Sequence, residues 1–395
     1  MVQLNPSLED KLDLLSVDPS LPSPLLQQQF TSLTEHLLRL PPPAWAQPKI
    51  VVLDALDECN DGNELIATLA SEIPKLASHL RFFITCRSAS DLLLTFGSTA
   101  AGNDLSLMNN DFSVQRDILN FIHLRLTALS IDGSPSPFDA HDVNELAGQA
   151  GGHFVWASTA CWLISKSPHP KTELADLLTI PTGEILPLYR RVLRQSAPED
   201  SEFKTKVSQV LSVVAIAGEP LAPTTIDALL EFASGDTDKV VRRVGSIVNY
   251  TVGDGVKFVH QSFRDFIMSP ACEEDFRVDT KLCHRNLALT CFNVMACHLK
   301  HDICGIGDSS QLNGEVPNLA LAISSLPPGL VYACSHCAYH LAACGEEGIR
   351  DPELADRILM FFHRHLLHWF EMLSLMKSLV TGSEFFRTLN SIVEV

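Results

Sequence analysis

Residues Ile50, Val51, Val52 and Leu53 form a short, uninterrupted apolar run between Pro48 and Asp54. A run this short is a strand rather than a buried helix, and its lack of alternation predicts a strand covered on both faces. A second run, Arg81-Phe82-Phe83-Ile84-Thr85, follows after about thirty residues, the length of one strand–helix–strand unit. Between the two, Asp61 and Glu64 stand at capping-box spacing. Leu65, Ile66, Leu69, Ile73 and Leu76 fall on one helical face, which Pro74 kinks or ends. The first third of the chain is therefore expected to be α/β with a parallel sheet.

The remainder has helical rhythm, so the chain is mostly α overall. Before the sheet, residues 1–45 read as a polar and Pro-rich entrance with one helix over 25–40, ending at Pro41, Pro42 and Pro43. After it, residues 114–126 carry apolar side chains at helical spacing, and 133–137 mark a loop. Residues 142–196 are helix-rich, with a Gly151-Gly152 break before Phe154, Val155 and Trp156. A helix bearing Val207, Val210, Leu211 and Val214 comes next, then one with Pro223 in its first turn, then a third over 237–246. Residues 247–252 and 256–259 flank Gly253-Asp254-Gly255, a hairpin signal. Three helices followed by a hairpin describe a winged helix. From residue 279 the pattern is helical, interrupted at 305–314, where Gly305-Ile306-Gly307 reads as loop. The expected divisions are an entrance at 1–45, an α/β core at 46–130, a helical domain at 131–200, a winged helix at 201–270 and a C-terminal helical domain at 271–395.

Charge and cysteine usage remove several classes of function. The 395 residues carry 29 Lys and Arg against 47 Asp and Glu, a net charge of −18, which argues against a grip on nucleic-acid phosphates. Most of the 11 cysteines, Cys161, Cys291 and Cys297 among them, sit in apolar helical stretches where a thiol behaves as a small buried hydrophobe. With no secretory signal at the start, a reducing, cytoplasmic compartment is expected. The apolar C-terminal tract is broken by His363, Arg364, His365, His368 and Glu371, so no membrane span is expected. There is no G-x-S-x-G elbow and no H-E-x-x-H.

The chemistry concentrates at the strand ends. Asp54 closes the first strand at the carboxyl edge of the sheet, where open α/β folds bind ligands, and Asp57 and Glu58 follow on the turn. This set suits a magnesium–nucleotide site, with Asp54 holding the ion or its water and Asp57 and Glu58 orienting or deprotonating the attacking water. A solvated acidic turn has the same composition. Arg87, just past the second strand, has the charge to reach a γ-phosphate, or is a surface arginine. His260 lies at a strand-to-helix junction, placed to donate to a phosphate or to satisfy backbone.

Taken together these motifs resemble the NACHT class of STAND P-loop NTPases, NLR-like proteins whose fungal members often precede WD40 or ankyrin repeats. Asp54-Ala55-Leu56-Asp57-Glu58-Cys59 is similar to the extended Walker B motif, and residues 82–88 resemble the sensor 1 strand. Gly151-Gly152-His153-Phe154-Val155-Trp156-Ala157 resembles the helical segment after the NTPase core, without the Pro common there. Phe258-Val259-His260-Gln261-Ser262-Phe263 matches the end of the winged helix, and residues 332–341 and 367–369 resemble the helical region before the repeats. The resemblance implies ATP or ADP with Mg2+ as cofactors, Asp54 and Arg87 at the nucleotide, and His260 on the β-phosphate of ADP. It also implies protein partners and a homo-oligomer in the intact form, while the charge and the broken apolar tract leave neither nucleic acid nor membrane as an expected partner.

One element of that class is missing. G-x-x-x-x-G-K-[ST] supplies the amides and lysine that neutralise the β- and γ-phosphates, yet no Gly-Lys pair occurs among the 20 glycines. The expectation is a truncated, partial P-loop core lacking the Walker A strand, with impaired nucleotide binding and a scaffold role. The resemblance further implies that the missing strand lies between the other two, a gap of about 10 Å, so that the sheet must close up, recruit another strand or stay unstable, giving a modified or incomplete sheet. Two other readings stay open. One is a nucleotide-independent adaptor whose acidic surface binds basic partners. The other is a zinc- or DNA-binding winged-helix protein. For it, Cys334, Cys337, His340 and Cys344 have ligand-like spacing and winged helices often bind DNA; against it, the four residues also suit a buried helix face, and Arg242-Arg243 is the only adjacent basic pair near the recognition helix.

Overall fold

The apolar run and its echo are strands in the computed structural model, which describes residues 49–54, 56, 62–73, 80–85, 112–129, 136–197, 201–307 and 311–393. The chain divides into two compact units, Met1–Ser106 and Leu107–Val395. The helix expected over 25–40, Pro74, Leu76 and residues 133–135 lie outside the described residues.

In the first unit, β1 (Lys49–Leu53) and β2 (Leu80–Ile84) pair in parallel from Lys49↔Leu80 to Leu53↔Ile84. The crossover element is α1 (Gly62–Glu72). It buries Ile66 and Leu69, with Leu65 and Ile73 beside them, against Leu53, Ile84 and Leu56. One expectation is narrowed here and one is corrected. Of the outcomes open to the sheet, β1 and β2 pair directly, one strand–helix–strand crossover delivering β2 onto the hydrogen-bonding edge of β1. Among the described residues β1 is not covered on both faces: Ile50, Val52 and Phe83 are 69%, 61% and 53% exposed. A single crossover helix reaches one face, and side chains alternate between faces, so the residues pointing away from α1 stay uncovered.

The second unit opens with α2 (Phe112–Thr127), α3 (Ala140–Gln149), α4 (Phe154–Lys166), α5 (Pro170–Leu178) and α6 (Leu186–Ser196). Asp139 and Asp142 close a reciprocal capping box on α3. The Gly151-Gly152 break reverses the chain through left-handed φ values of 57° and 86°. A Cβ on Gly151 would lie 3.2 Å from the Cα of Gly183, so close backbone approach adds a second reason for glycine there. Trp156 is fully buried and donates Nε1–H to the Glu184 carbonyl at 3.1 Å, tying α4 to that same loop.

Next come α7 (Ser201–Ile216), α8 (Pro223–Leu229) and α9 (Asp236–Arg243), followed by an antiparallel hairpin of β3 (Val248–Thr251) and β4 (Gly255–Phe258) and then α10 (Gln261–Ile267). Pro223 occupies the first turn of α8. The N-cap of α9 is Gly235, which has no side chain to offer. Buried Asp227 of α8 does the capping instead, accepting from Gly235 N and Thr237 N at 2.8 Å each.

The C-terminal helices are α11 (Thr280–His298), α12 (Leu319–Ser324), α13 (Leu330–Ala343), α14 (Gly345–Ile349), α15 (Pro352–Arg364), α16 (Leu366–Leu375) and α17 (Val380–Val393). One hydrophobic cluster runs without a break from Ile118 to Phe385. Cys161 and Cys291 lie in it, whereas Cys297, on the last turn of α11, is exposed, because that turn leaves the packed seam. Trp369 donates Nε1–H to the Cys334 carbonyl at 3.0 Å and meets the rings of Phe361 and Phe385 edge-on. Among the described residues no helix is long and apolar enough to cross a membrane.

At the centre of this seam lies a polar chain. Gly218 N–H reaches the Tyr332 hydroxyl at 3.3 Å, the hydroxyl lies 2.7 Å from His340 Nε2, and His340 Nδ1 lies 2.8 Å from His284 Nδ1. Gly218 donates to the hydroxyl, and the tautomers of His340 and His284 decide which partner gives the proton in the Tyr332–His340 and His340–His284 bonds. Burial pushes His340 down to about 3, with His284 and His336 adding to the effect. Burial also lowers His284, helped by the Arg264 charge, and lowers His336, opposed by Glu219.

The unfolded chain therefore takes up a proton near pH 6.5 that the folded chain refuses until about pH 3. The stability conferred is complete above pH 6.5 and lost as pH falls through that window, by an amount on the order of a few kcal/mol. Urea unfolding followed by circular dichroism should show a midpoint that falls from pH 7 to pH 4. His340→Gln should lower the midpoint at pH 7 and flatten its pH dependence.

Candidate functional site

The sheet's carboxyl edge is built by backbone first. Thr85 N donates to Leu53 O at 2.9 Å and Leu56 N donates to Thr85 O at 2.9 Å, so the parallel ladder continues past both strand ends. That register sets Asp54 and Thr85 side by side, and the Thr85 hydroxyl donates to Asp54 Oδ1. Asp54 is exposed, and the bond leaves Oδ2 for another partner. Asp57, Glu58 and Arg87 lie outside the described residues. Thr85 was legible in sequence only as the last residue of a strand; its pairing with Asp54 depends on register, which a single sequence does not display.

Among the described residues no cluster of three or more His, Cys, Asp and Glu side chains is arranged to hold a metal ion. A magnesium ion at Asp54 would draw one ligand from these residues and keep water elsewhere in its shell, the habit of that ion. Cys334, Cys337 and His340 are buried on α13, and Cys344 follows at its end. Their thiols serve the helix: Cys344 Sγ donates to Leu341 O at 3.1 Å, and burial pushes the Cys337 thiol up to about 12. Arg243, one of the adjacent basic pair, lies over the Phe203 ring at 5.9 Å, in a packing contact.

In the second unit, His260 follows β4 in extended conformation, φ −149° and ψ 139°, and caps α10. Its Nδ1 accepts from Ser262 N at 3.1 Å and lies 2.7 Å from Ser262 Oγ. Ser262 Oγ is in turn 2.6 Å from the Tyr189 hydroxyl of α6. Tyr189 is wedged edge-on against Phe263, centroids 5.0 Å apart, and tilted against Phe266 at 5.7 Å. Burial raises its phenol, the Ser262 bond opposes that, and Asp265 adds to it. Arg264 Nε–H donates to Ala215 O at 2.9 Å, fixing α10 to the end of α7. His260 itself is exposed, with an anchored backbone and an open ring edge.

A family model described as Nephrocystin 3, N-terminal matches residues 1–87. The chain is 24% identical over 372 residues to the vegetative incompatibility protein HET-E-1 of Podospora anserina, a match covering 87% of this chain and 26% of that protein. It thus spans about a quarter of the length of the curated relative it matches.

The cap at His260 is separable from any ligand chemistry. His260→Ala should destabilise the second unit by about 1 kcal/mol in urea unfolding, the usual value of a lost N-cap. His260→Asn, which restores an acceptor for Ser262 N–H, should recover most of that loss.

Proposed function

We propose that this chain is a NACHT/STAND-like signalling protein segment with weakened nucleotide binding that works chiefly as an interaction scaffold. The similarity to HET-E-1 over most of the chain supports the signalling class. In this reading residues 46–130 are a partial P-loop core, 201–270 a winged helix, and the helical regions at 131–200 and 271–395 surfaces for protein partners.

The observation that carries it is the strand edge where Thr85 holds Asp54 in register. A hydroxyl bonded to an acid at the end of a parallel strand orients a carboxylate for an ion's water shell, as a magnesium–nucleotide complex requires. Asp57 and Glu58 would orient the attacking water, and Arg87 would meet the γ-phosphate. His260 would donate to the β-phosphate of ADP. Without a Gly-Lys pair the chain has no lysine in a phosphate loop to neutralise the triphosphate, so affinity falls and hydrolysis becomes secondary.

Calorimetry on this chain with ADP or ATP and Mg2+ tests the reading. A dissociation constant weaker than about 1 μM is expected, and Asp54→Ala should abolish its dependence on Mg2+. A nanomolar constant would contradict the weakened site. Partner binding left intact by both Asp54→Ala and His260→Ala would favour the nucleotide-independent adaptor.

A further inference from the structure

We infer that Tyr189 and Ser262 are positioning residues for His260, forming a one-way hydrogen-bond chain that leaves the imidazole's proton on Nε2, the nitrogen with no hydrogen-bond partner among the described residues. The inference rests on the reading of His260 as a phosphate donor and supplies what that role requires. A neutral histidine donates from whichever nitrogen carries its proton, so the tautomer decides whether a phosphate meets a donor or a lone pair.

The direction of the chain follows from the donors available. Ser262 N–H can only donate, and its partner is His260 Nδ1 at 3.1 Å, so Nδ1 carries a lone pair. The Ser262 hydroxyl, 2.7 Å from that nitrogen, must then also donate to it. Having spent its one hydrogen, Ser262 Oγ accepts from Tyr189 at 2.6 Å. Tyr189 can keep that proton, because burial favours the neutral phenol. Two donors converge on Nδ1, and the proton is held on Nε2. Among the described residues no group is hydrogen-bonded to Nε2.

An N-cap alone does not explain this arrangement. Capping needs one acceptor for Ser262 N–H, and an asparagine would supply it. The hydroxyl chain runs from His260 through Ser262 to a tyrosine 73 residues before Ser262, on another helix, and does nothing for the cap. What it changes is the imidazole's tautomer and the angle at which the ring stands. It also ties both to α6, so a shift of that helix relative to α10 would be felt at His260.

Nitrogen-15 spectra of the full chain labelled at histidine test this at pH 8, where an ordinary imidazole is neutral. His260→Gln identifies the His260 signals by their loss. The expected wild-type pattern is Nδ1 bare and Nε2 protonated. Ser262→Ala and Tyr189→Phe should each raise the Nδ1–H share about fivefold, the worth of one net hydrogen bond. Ser262→Thr, which keeps the hydroxyl, should restore the wild-type pattern. Tyr189→Phe retains the ring packed on Phe263 and Phe266, so its effect is not a loss of packing.

ADP titrated into the same samples should move the Nε2 signal of the wild type, and the two variants should need about fivefold more ADP. A tautomer ratio unchanged in both variants overturns the inference, whatever ADP does. A ratio that shifts, beside an Nε2 signal indifferent to ADP, upholds the positioning and overturns the phosphate role instead.

Discussion

The second unit is organised around a pair of neutral imidazoles. His284 of α11 and His340 of α13 meet Nδ1 to Nδ1 at 2.8 Å inside a seam lined with Cys291, Cys334 and Cys337. A single shared proton satisfies both rings, and Tyr332 satisfies the far side of His340. The arrangement is tolerable only while uncharged, since burial disfavours an imidazolium here and the partner histidine and the Arg264 charge add to that. It also reaches the end of α7 through Gly218, where a Cβ would come within 2.4 Å of the His336 ring. Glycine is therefore set there by side-chain crowding rather than by its φ, and α7, α11 and α13 share one polar centre.

Periodicity reveals elements better than it reveals their neighbours. The apolar runs, the helix at 112–127, the Gly151-Gly152 break and the Gly253-Asp254-Gly255 hairpin were all legible, because each depends on local spacing and turn chemistry. The exposed face of β1 was not. A continuous apolar strand signals that both faces could be buried, but coverage depends on how many helices pack on the sheet. The position of β2 against β1 stayed between alternatives for a related reason: the resemblance implied an intervening strand, the crossover length implied adjacency, and adjacency is what the ladder shows. Cys297 shows the same limit on a helix, where apolar context along the chain did not reveal that the last turn of α11 is exposed.

The candidate site residues divide in the same way. Asp54 and His260 announce themselves, an acid ending an apolar strand and a histidine between a strand and a helix. Thr85 and Tyr189 do not, since each is an ordinary residue type in an ordinary element. Their importance arises from register in one case and from a helix contact 73 residues away in the other.

Both places use the same device. A carboxylate has two equivalent oxygens and a neutral imidazole two interchangeable tautomers, so neither group alone has a defined outward atom. A hydroxyl removes the ambiguity. Thr85 occupies Asp54 Oδ1 and leaves Oδ2, while Ser262 occupies His260 Nδ1 and, in the inferred direction of that chain, leaves Nε2–H. The first would present an acceptor and the second a donor, the polarities that the proposed cation's water and phosphate oxygen need. A hydroxyl is well suited to the task because it is neutral: it fixes which atom is presented without adding a second charge beside it.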